Sequence, residues 1–557
     1  MKLFQQLLLA PAALGLLAPM AASAADLNLD AVNKYGGAEE QVTSITQFSD
    51  VQPTSWAYQA LSNLIERYGC VAGYPNGTFK GGQPLTRWEA AALLNACLDR
   101  ITEVTDELKK LMKEFQKELA VLRGRVDGLE AKVGELEANQ FSTTTKLRGV
   151  ATFTIGANNF SGDGKATLGE SVLLGGKVAP GQKFSDAAAA QQGATAMNYN
   201  LDLYLDTSFT GKDLLRTRLR AGNFGSSPWG AANPNNLVGL NAFEVSFEGS
   251  PGPDTVMVNR LFYQFPIGSS FTATVGAKVR QDDMLALWPS AYPADTVLDI
   301  FTYGGAPGTY SLNLGSGGGI WWKSGGFSVS ANYVSANGNN GNPNTAINGG
   351  GGGIGTDGAA QTGTAQIAYA GTNWGLAAAY TYTTPQGGLA GLYGGNATPL
   401  ANLGFALSDS VSSVGISGYW SPTKSGWIPS ISAGWGINSH SATGASAGSL
   451  RSAIDGAQSQ SWYTGLQWSD VFIKGNSAGM AVGQATFITK SGNDSLLSAN
   501  DGNYAWEWWY KFQVTDNISV TPALFYLSRP LGQLQKAQSN SDGFDNFGGL
   551  VKTTFKF

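Results

Sequence analysis

The chain has 557 residues, more than one ordinary globular domain holds, and a formal net charge of −5. Only 13% of the residues are charged, against roughly the usual quarter, while glycine accounts for 74. No basic excess points to nucleic acid, no apolar run beyond residue 25 matches a membrane-spanning helix, and two cysteines cannot build a disulfide scaffold.

The charge is unevenly spread. Residues 1–140 hold 13 basic and 17 acidic residues, whereas the much longer remainder holds only 22 and 23. Two regions of different composition therefore share one chain.

Residues 1–24 read as a secretory signal peptide, with Lys2, an apolar stretch from Leu7 to Leu17, and the small residues Ala22-Ser23-Ala24 at the cleavage site. Residues 25–47 are polar and read as a flexible leader. A compact helical module is expected over 48–100. Thr54 and Ser55 can cap a first helix carrying Trp56, Ala60, Leu64, Ile65 and Tyr68, which Gly69 ends. Gly73–Phe79 contains Pro75 and Asn76-Gly77, a turn in which proline fixes one dihedral and Asn-Gly tolerates positive φ. Thr86-Arg87-Trp88-Glu89 is a capping box that opens a second helix. Cys70 and Cys97 can pair in an oxidising compartment, or they can be two small buried side chains.

Over 101–139 a heptad runs almost unbroken through Leu108, Phe115, Leu122, Leu129 and Leu136, with charged residues on its flanks. Alternating steps of four and three hold this stripe in line, which predicts a coiled coil. At 1.5 Å per residue the stretch from Ile101 to Leu136 spans roughly 54 Å as a helix.

From 140 to 557 the pattern changes to period two. Leu201, Leu203 and Leu205 alternate with Asp202, Tyr204 and Asp206. Leu215, Thr217 and Leu219 alternate with Arg216, Arg218 and Arg220. Phe243, Val245 and Phe247 alternate with Glu244, Ser246 and Glu248, and Ala273 to Val279 with Lys278 and Arg280. These read as antiparallel strands with one apolar and one polar face. Trp506, Trp508, Tyr510 and Phe512 share one phase, like an aromatic girdle at a bilayer interface. Val551, Thr553, Phe555 and Phe557 form a last apolar face. The length suits a mainly β, transmembrane antiparallel barrel of about 16 strands with long Gly/Asn-rich loops, notably 337–363 and 384–405.

Two family resemblances follow from these motifs. Phe48-Ser49-Asp50-Val51, Trp56-Ala57, the Gly73–Phe79 turn and Thr86-Arg87-Trp88-Glu89 look like one S-layer homology domain. Asn76 and Trp88 depart from the family's usual residues. The resemblance implies binding to a peptidoglycan-linked polysaccharide through Asp50, Trp56, Asn76 and Arg87. A planar guanidinium at a helix start suits a carboxylate ligand. The whole layout resembles the cyanobacterial outer-membrane porins, whose barrel belongs with the carbohydrate-selective porins and some of which are called iron-uptake porins. That implies an outer-membrane channel for small polar solutes or ions, with its amino-terminal part in the periplasm and membrane lipid around the barrel. It also implies a homotrimer, since a coiled coil needs partners and three joined chains would gather three wall-binding heads.

In the pore, Asp202, Asp206, Arg216, Arg218, Arg220, Glu244, Glu248, Lys278 and Arg280 are expected to face inward. Alternatively the arginines sit at a rim and pair with Asp202 and Asp206 across the hairpin. Segment 281–318 carries Asp282, Asp283, Asp295 and Asp299 without a Lys or Arg, and also Leu285, Leu287 and Trp288. It is expected to fold into the barrel and set acidic groups opposite a basic wall, a transverse field across the constriction. The lone His440, in a Gly/Ser-rich stretch, reads as a loop residue; no metal, cofactor or catalytic triad is indicated. A barrel enzyme and a plugged structural tether are the competing classes.

Overall fold

The computed structural model describes residues 144–557 except 231, 232, 234, 249–251, 295, 296, 345–350, 386–391, 393, 394, 425, 445, 447, 494–500 and 536–542. Before them it describes 44–54, 58–67, 71, 77–79, 113–116, 120, 121 and 125. The chain divides into two compact units, Met1–Gln140 and Phe141–Phe557.

In the first unit Ile45, Phe48, Leu61, Ile65 and Val71 form a small core, with Phe79 packed on it and its ring 5.6 Å from that of Phe48. The expected leader is therefore too long at its end. Ser44 caps a 3-10 turn, Ile45–Gln47, whose first side chain is buried in that core. The first helix is described as an α turn, Tyr58–Ser62, continued by a π turn, Asn63–Arg67. Gly77 adopts φ +71°, and its carbonyl accepts the Ser49 amide at 3.0 Å. The signal peptide, Trp56, Cys70, Asn76, Arg87, Cys97, Leu108, Leu122, Leu129 and Leu136 lie outside the described residues. Phe115 is half-buried, and its neighbours Lys113, Glu114 and Gln116 are helical.

The second unit is one closed antiparallel barrel of sixteen strands. They are β1 (Thr145–Ser161), β2 (Ala196–Thr207), β3 (Leu214–Gly222), β4 (Met257–Ile267), β5 (Phe271–Arg280), β6 (Leu314–Ser324), β7 (Phe327–Ser335) and β8 (Gln361–Ala370). They continue as β9 (Trp374–Thr384), β10 (Ser410–Trp420), β11 (Ser430–Ser441), β12 (Gln458–Ser469), β13 (Ser477–Lys490), β14 (Tyr504–Thr515), β15 (Ile518–Ser528) and β16 (Asp545–Lys556). Each strand pairs with its neighbours in sequence, and β1 pairs with β16 from Val150↔Lys556 to Ser161↔Asp545, which closes the ring. Phe557 and Gly149 exchange two further backbone hydrogen bonds at that seam.

Period two sorts the faces as expected. Leu376, Tyr380, Ile416, Trp508, Phe512 and Val551 are exposed on the outside, while Thr381, Ser413, Ser417 and Glu507 are buried inside. The outer rings of Tyr504, Trp506 and Tyr526 lie 5.5–5.7 Å apart in sequence along the wall. Short turns join the strands at one end, such as 268–270 and 325–326, and long connections at the other, such as 162–195 and 385–409.

The short β2–β3 turn is built on Asp213. Its carboxylate accepts hydrogen bonds from the Thr210 hydroxyl and amide, the Ser208 hydroxyl, the Phe209 amide and the Tyr263 hydroxyl. These donors, Thr210 first, hold the carboxyl well below the usual carboxylate range. A depressed acid contributes stability above its unfolded pKa, about 4, and that contribution is lost as pH falls through the folded value. Asp213→Asn should therefore lower the unfolding temperature at neutral pH and flatten the loss of stability below about pH 4, as followed by heat-modified gel migration across pH. Equal acid sensitivity in both proteins would contradict this role.

Candidate functional site: the lumen and its infolded segments

The β2–β3 hairpin sets Asp206 opposite Arg216, Tyr204 opposite Arg218 and Asp202 opposite Arg220. Residues directly opposite on antiparallel strands share a face. The arginines thus share a face with the aspartates and pair with them across the hairpin. Arg216 forms a fork with Asp206, Nε to Oδ1 at 2.8 Å and Nη2 to Oδ2 at 2.9 Å. Arg218 Nε donates to Asp202 at 2.7 Å, and Arg220 Nε to Asn200 at 2.7 Å. Arg148 of β1 joins them, its guanidinium 4.0 Å from the Tyr204 ring centroid.

Of the segment 281–318, residues 281–313 lie against the inner wall and 314–318 open β6. The segment leaves β5 through a 3-10 turn, Gln281–Met284. There Arg280 grips Asp282 through two hydrogen bonds of 2.5 Å, and Arg260 of β4 meets Asp283 at 2.7 Å. The transverse field is therefore corrected in detail. Asp282 and Asp283 meet the arginines directly, because the turn, unlike a strand, brings adjacent carboxylates to one side. Asp299 is only 2% exposed and accepts from Asn396 at 2.7 Å. Asp295 lies outside the described residues.

The segment then crosses the inner wall on hydrogen bonds from small hydroxyl residues. Ser330 of β7 accepts the Ala286 amide, Thr381 of β9 donates to the Thr309 carbonyl, and Ser417 of β10 donates to the Gly304 carbonyl. Ser432 of β11 accepts the amides of Ala291 and Tyr292, and Ser461 of β12 donates to the Gly305 carbonyl. Gly304 and Gly305 take positive φ, +57° and +75°. A Cβ on Gly305 would stand 2.4 Å from the Gly434 carbonyl oxygen, so backbone lies directly on backbone here. At the far side Glu507 of β14, fully buried, accepts from the Tyr292 hydroxyl at 2.6 Å and the Leu298 amide at 2.8 Å.

A second segment, 223–256, also enters the lumen, and it overturns the strand expected at Phe243–Glu248. Phe243 is buried there, stacked on Trp229 at 4.7 Å and edge-on to Phe525 of β15. Its aromatic alternation satisfies interior packing instead of lipid. Phe243 bridges to Leu298, the Glu244 amide donates to the Val297 carbonyl, and the Asp299 amide to the Ala242 carbonyl, so the two segments hold each other. Glu244, on this segment, stands within electrostatic reach of Arg220, Arg280 and Arg218. Glu248 accepts the Gly225 amide within it and is no strand residue. Lys278 is also corrected: the bulge beside Ala277 sets it opposite Leu261, on the outward face. His440 is corrected too. It lies on β11, buried, between the hydroxyls of Ser408 at 3.2 Å and Ser459 at 3.0 Å, edge-on to Phe405.

Sequence reading missed Arg148, Arg260, Tyr292 and Glu507. Parity offered the signal for Glu507, a single carboxylate in the inward phase of the Trp-rich β14. Among the described residues no group of three or more His, Cys, Asp or Glu could hold a metal ion. In the first unit Asp50 Oδ1 accepts the Phe79 amide at 2.6 Å, which ties its motif to the Gly77 turn.

Replacing Glu507 by Ala removes the acceptor of two buried donors, at about 1–3 kcal/mol each. The ring of strands does not depend on it. Glu507→Ala should keep the folded, heat-modifiable migration, speed proteolysis within 285–300, and add rapid fluctuations to single-channel current. Unchanged proteolysis would show that the clamp is not needed.

The family comparisons agree with this architecture. Residues 103–557 match the family described as carbohydrate-selective porin, OprB family, and residues 47–91 match the S-layer homology domain. An uncharacterized protein of Nostoc sp. is 34% identical over 95% of this chain and 88% of its own length. Outer membrane protein SlpA of Deinococcus radiodurans is 39% identical over 101 residues, 16% of this chain and 8% of that one. A high-pH structure of Pseudomonas putida OprB has a TM-score of 0.44 at 12% identity, covering 76% of this chain and 96% of that one. With an S-layer homology domain before a closed, sixteen-stranded outer-membrane barrel, the chain belongs to the OprB family of carbohydrate-selective porins.

Proposed function

We propose that the barrel passes small hydrophilic solutes and ions by diffusion through the opening that segments 223–256 and 281–313 leave, with no catalytic step. The observation that carries this reading is the lumen itself: a polar inner wall, narrowed by two segments and lined on one side by Arg148, Arg216, Arg218 and Arg220. A carbohydrate path is the second reading, favoured by the family to which the chain belongs. The amino-terminal domain holds a peptidoglycan-linked polysaccharide, with Trp56, Asn76 and Arg87 at the ligand and Asp50 shaping the turn beside it. That domain, expected over 48–100, takes in Ile45–Gln47 as well, and 101–139 form a coiled coil, through Leu108, Phe115, Leu122, Leu129 and Leu136, that joins three chains.

The arginine wall sets ion preference. A unit charge acts on an ion 4 Å away with about 1 kcal/mol in water-like surroundings, so three of them move a permeability ratio several-fold. Changing Arg216, Arg218 and Arg220 together to Gln should shift the reversal potential in a potassium chloride gradient toward cations. An unmoved potential would remove these residues from the ion path. Liposome swelling with neutral sugars separates the carbohydrate reading from a purely ionic one.

Arg87→Ala should weaken co-sedimentation with isolated cell wall while the barrel stays folded, and unchanged sedimentation would count against Arg87. Mass measurement in mild detergent should give three chains, and monomers alone would refute the assembly.

A further inference from the structure

Resting on the channel reading, we propose that Arg148, stacked on Tyr204 beside Lys146, forms a binding site for small oxyanions at the short-turn end of the lumen. In bacterial outer-membrane barrels the short turns face the periplasm, so this site stands at the periplasmic end of the barrel. The argument is one of charge left over. Arg216 already takes both oxygens of Asp206, and Arg218 takes Asp202. Arg148 comes no nearer than 3.6 Å to Asp206, and its side chain is 52% exposed. Among the described residues, its guanidinium donors have no acceptor within hydrogen-bonding distance.

The register gathers further charge at this point. Lys146 stands opposite Asp206 on β1, exposed, on the same inward face as Arg148. Arg148 and Arg218 flank Tyr204 from the two neighbouring strands, their guanidinium carbons 4.0 and 5.1 Å from its ring centroid. An aromatic face orients a guanidinium without consuming its N–H donors. The result is a planar fork held in place and open at its edge, with an ammonium one step along the strand. That matches a phosphate or carboxylate, which a fork binds through two parallel hydrogen bonds. A neutral sugar offers no charge for it. The shared chemistry is a small oxyanion, either free or carried as the acidic group of a sugar.

The test uses the full chain in mild detergent at low salt, because exposed charges are screened beyond about 10 Å at 0.1 M. Titration calorimetry with inorganic phosphate should show saturable binding that weakens as salt is raised. Arg148→Gln, checked for folded migration, should weaken it about ten-fold or more. Arg148→Lys, which keeps the charge but not the fork, should fall between the two. Lys146→Gln, at an exposed position, should also weaken binding. Glucose 6-phosphate binding more tightly than inorganic phosphate would identify the oxyanion as a sugar's acidic group, and equal or weaker binding would identify it as free. Either supports the site. No saturable phosphate binding, equal binding by Arg148→Gln, or glucose binding as well as glucose 6-phosphate would overturn it. Conductance in potassium chloride is read separately: its absence would defeat the channel reading, while the binding result still decides the site.

Discussion

In hydrocarbon every backbone N–H and C=O must find a partner inside the protein, and a sheet meets that demand only by having no edge. Pairing β1 with β16 removes the edge, and the rest of the molecule is arranged under that constraint. Closure fixes the alternation of faces, because a strand slipped by one residue would turn its aspartates and arginines to lipid. It therefore also fixes which side chains the lumen can contain. The arginines of β3 sit where they do because Leu215, Thr217 and Leu219, which alternate with them, take the other face.

The lumen is then furnished from two sources with different rules. The wall contributes Ser, Thr and Asn at its inward positions, short side chains that leave room and carry hydroxyls and amides. The infolded segments contribute the bulk, Trp229, Phe243, Tyr292 and Phe301, all buried. Their backbone groups have no regular ladder, so the wall's hydroxyls and Glu507 serve as partners, and buried polar groups of this kind are expensive to leave unmet.

Much of this is written in local sequence, and the rest is not. Alternation exposed the strands and the outward aromatic phase, because period two is a local property, and the length of the region gave their rough number. It misjudged Phe243–Glu248, since the same alternation serves an aromatic packed on Trp229. It misplaced Lys278, since a one-residue bulge reverses parity without a sequence mark. It missed Glu507 and Arg148 as partners, because their partners, Tyr292 and Tyr204, are set by three-dimensional closure. His440 looked like a loop residue among Gly and Ser, yet small residues are what a wall needs where another segment lies against it. In the amino-terminal unit, the distance between Asp50 and Phe79 hid a single hydrogen bond that joins two motifs.

Segment 281–313 begins among the arginines of β4 and β5 and is fastened again at Glu507 on β14, nearly opposite in a ring of sixteen strands. A hydrogen-bonded ring alone resists shear along its strands but yields easily to squeezing, as a hoop goes oval. A segment bonded to the inner wall along the arc from β5 to β14 stiffens that arc against such bending. Lateral pressure in the surrounding bilayer then meets a wall stiffened from within along that arc.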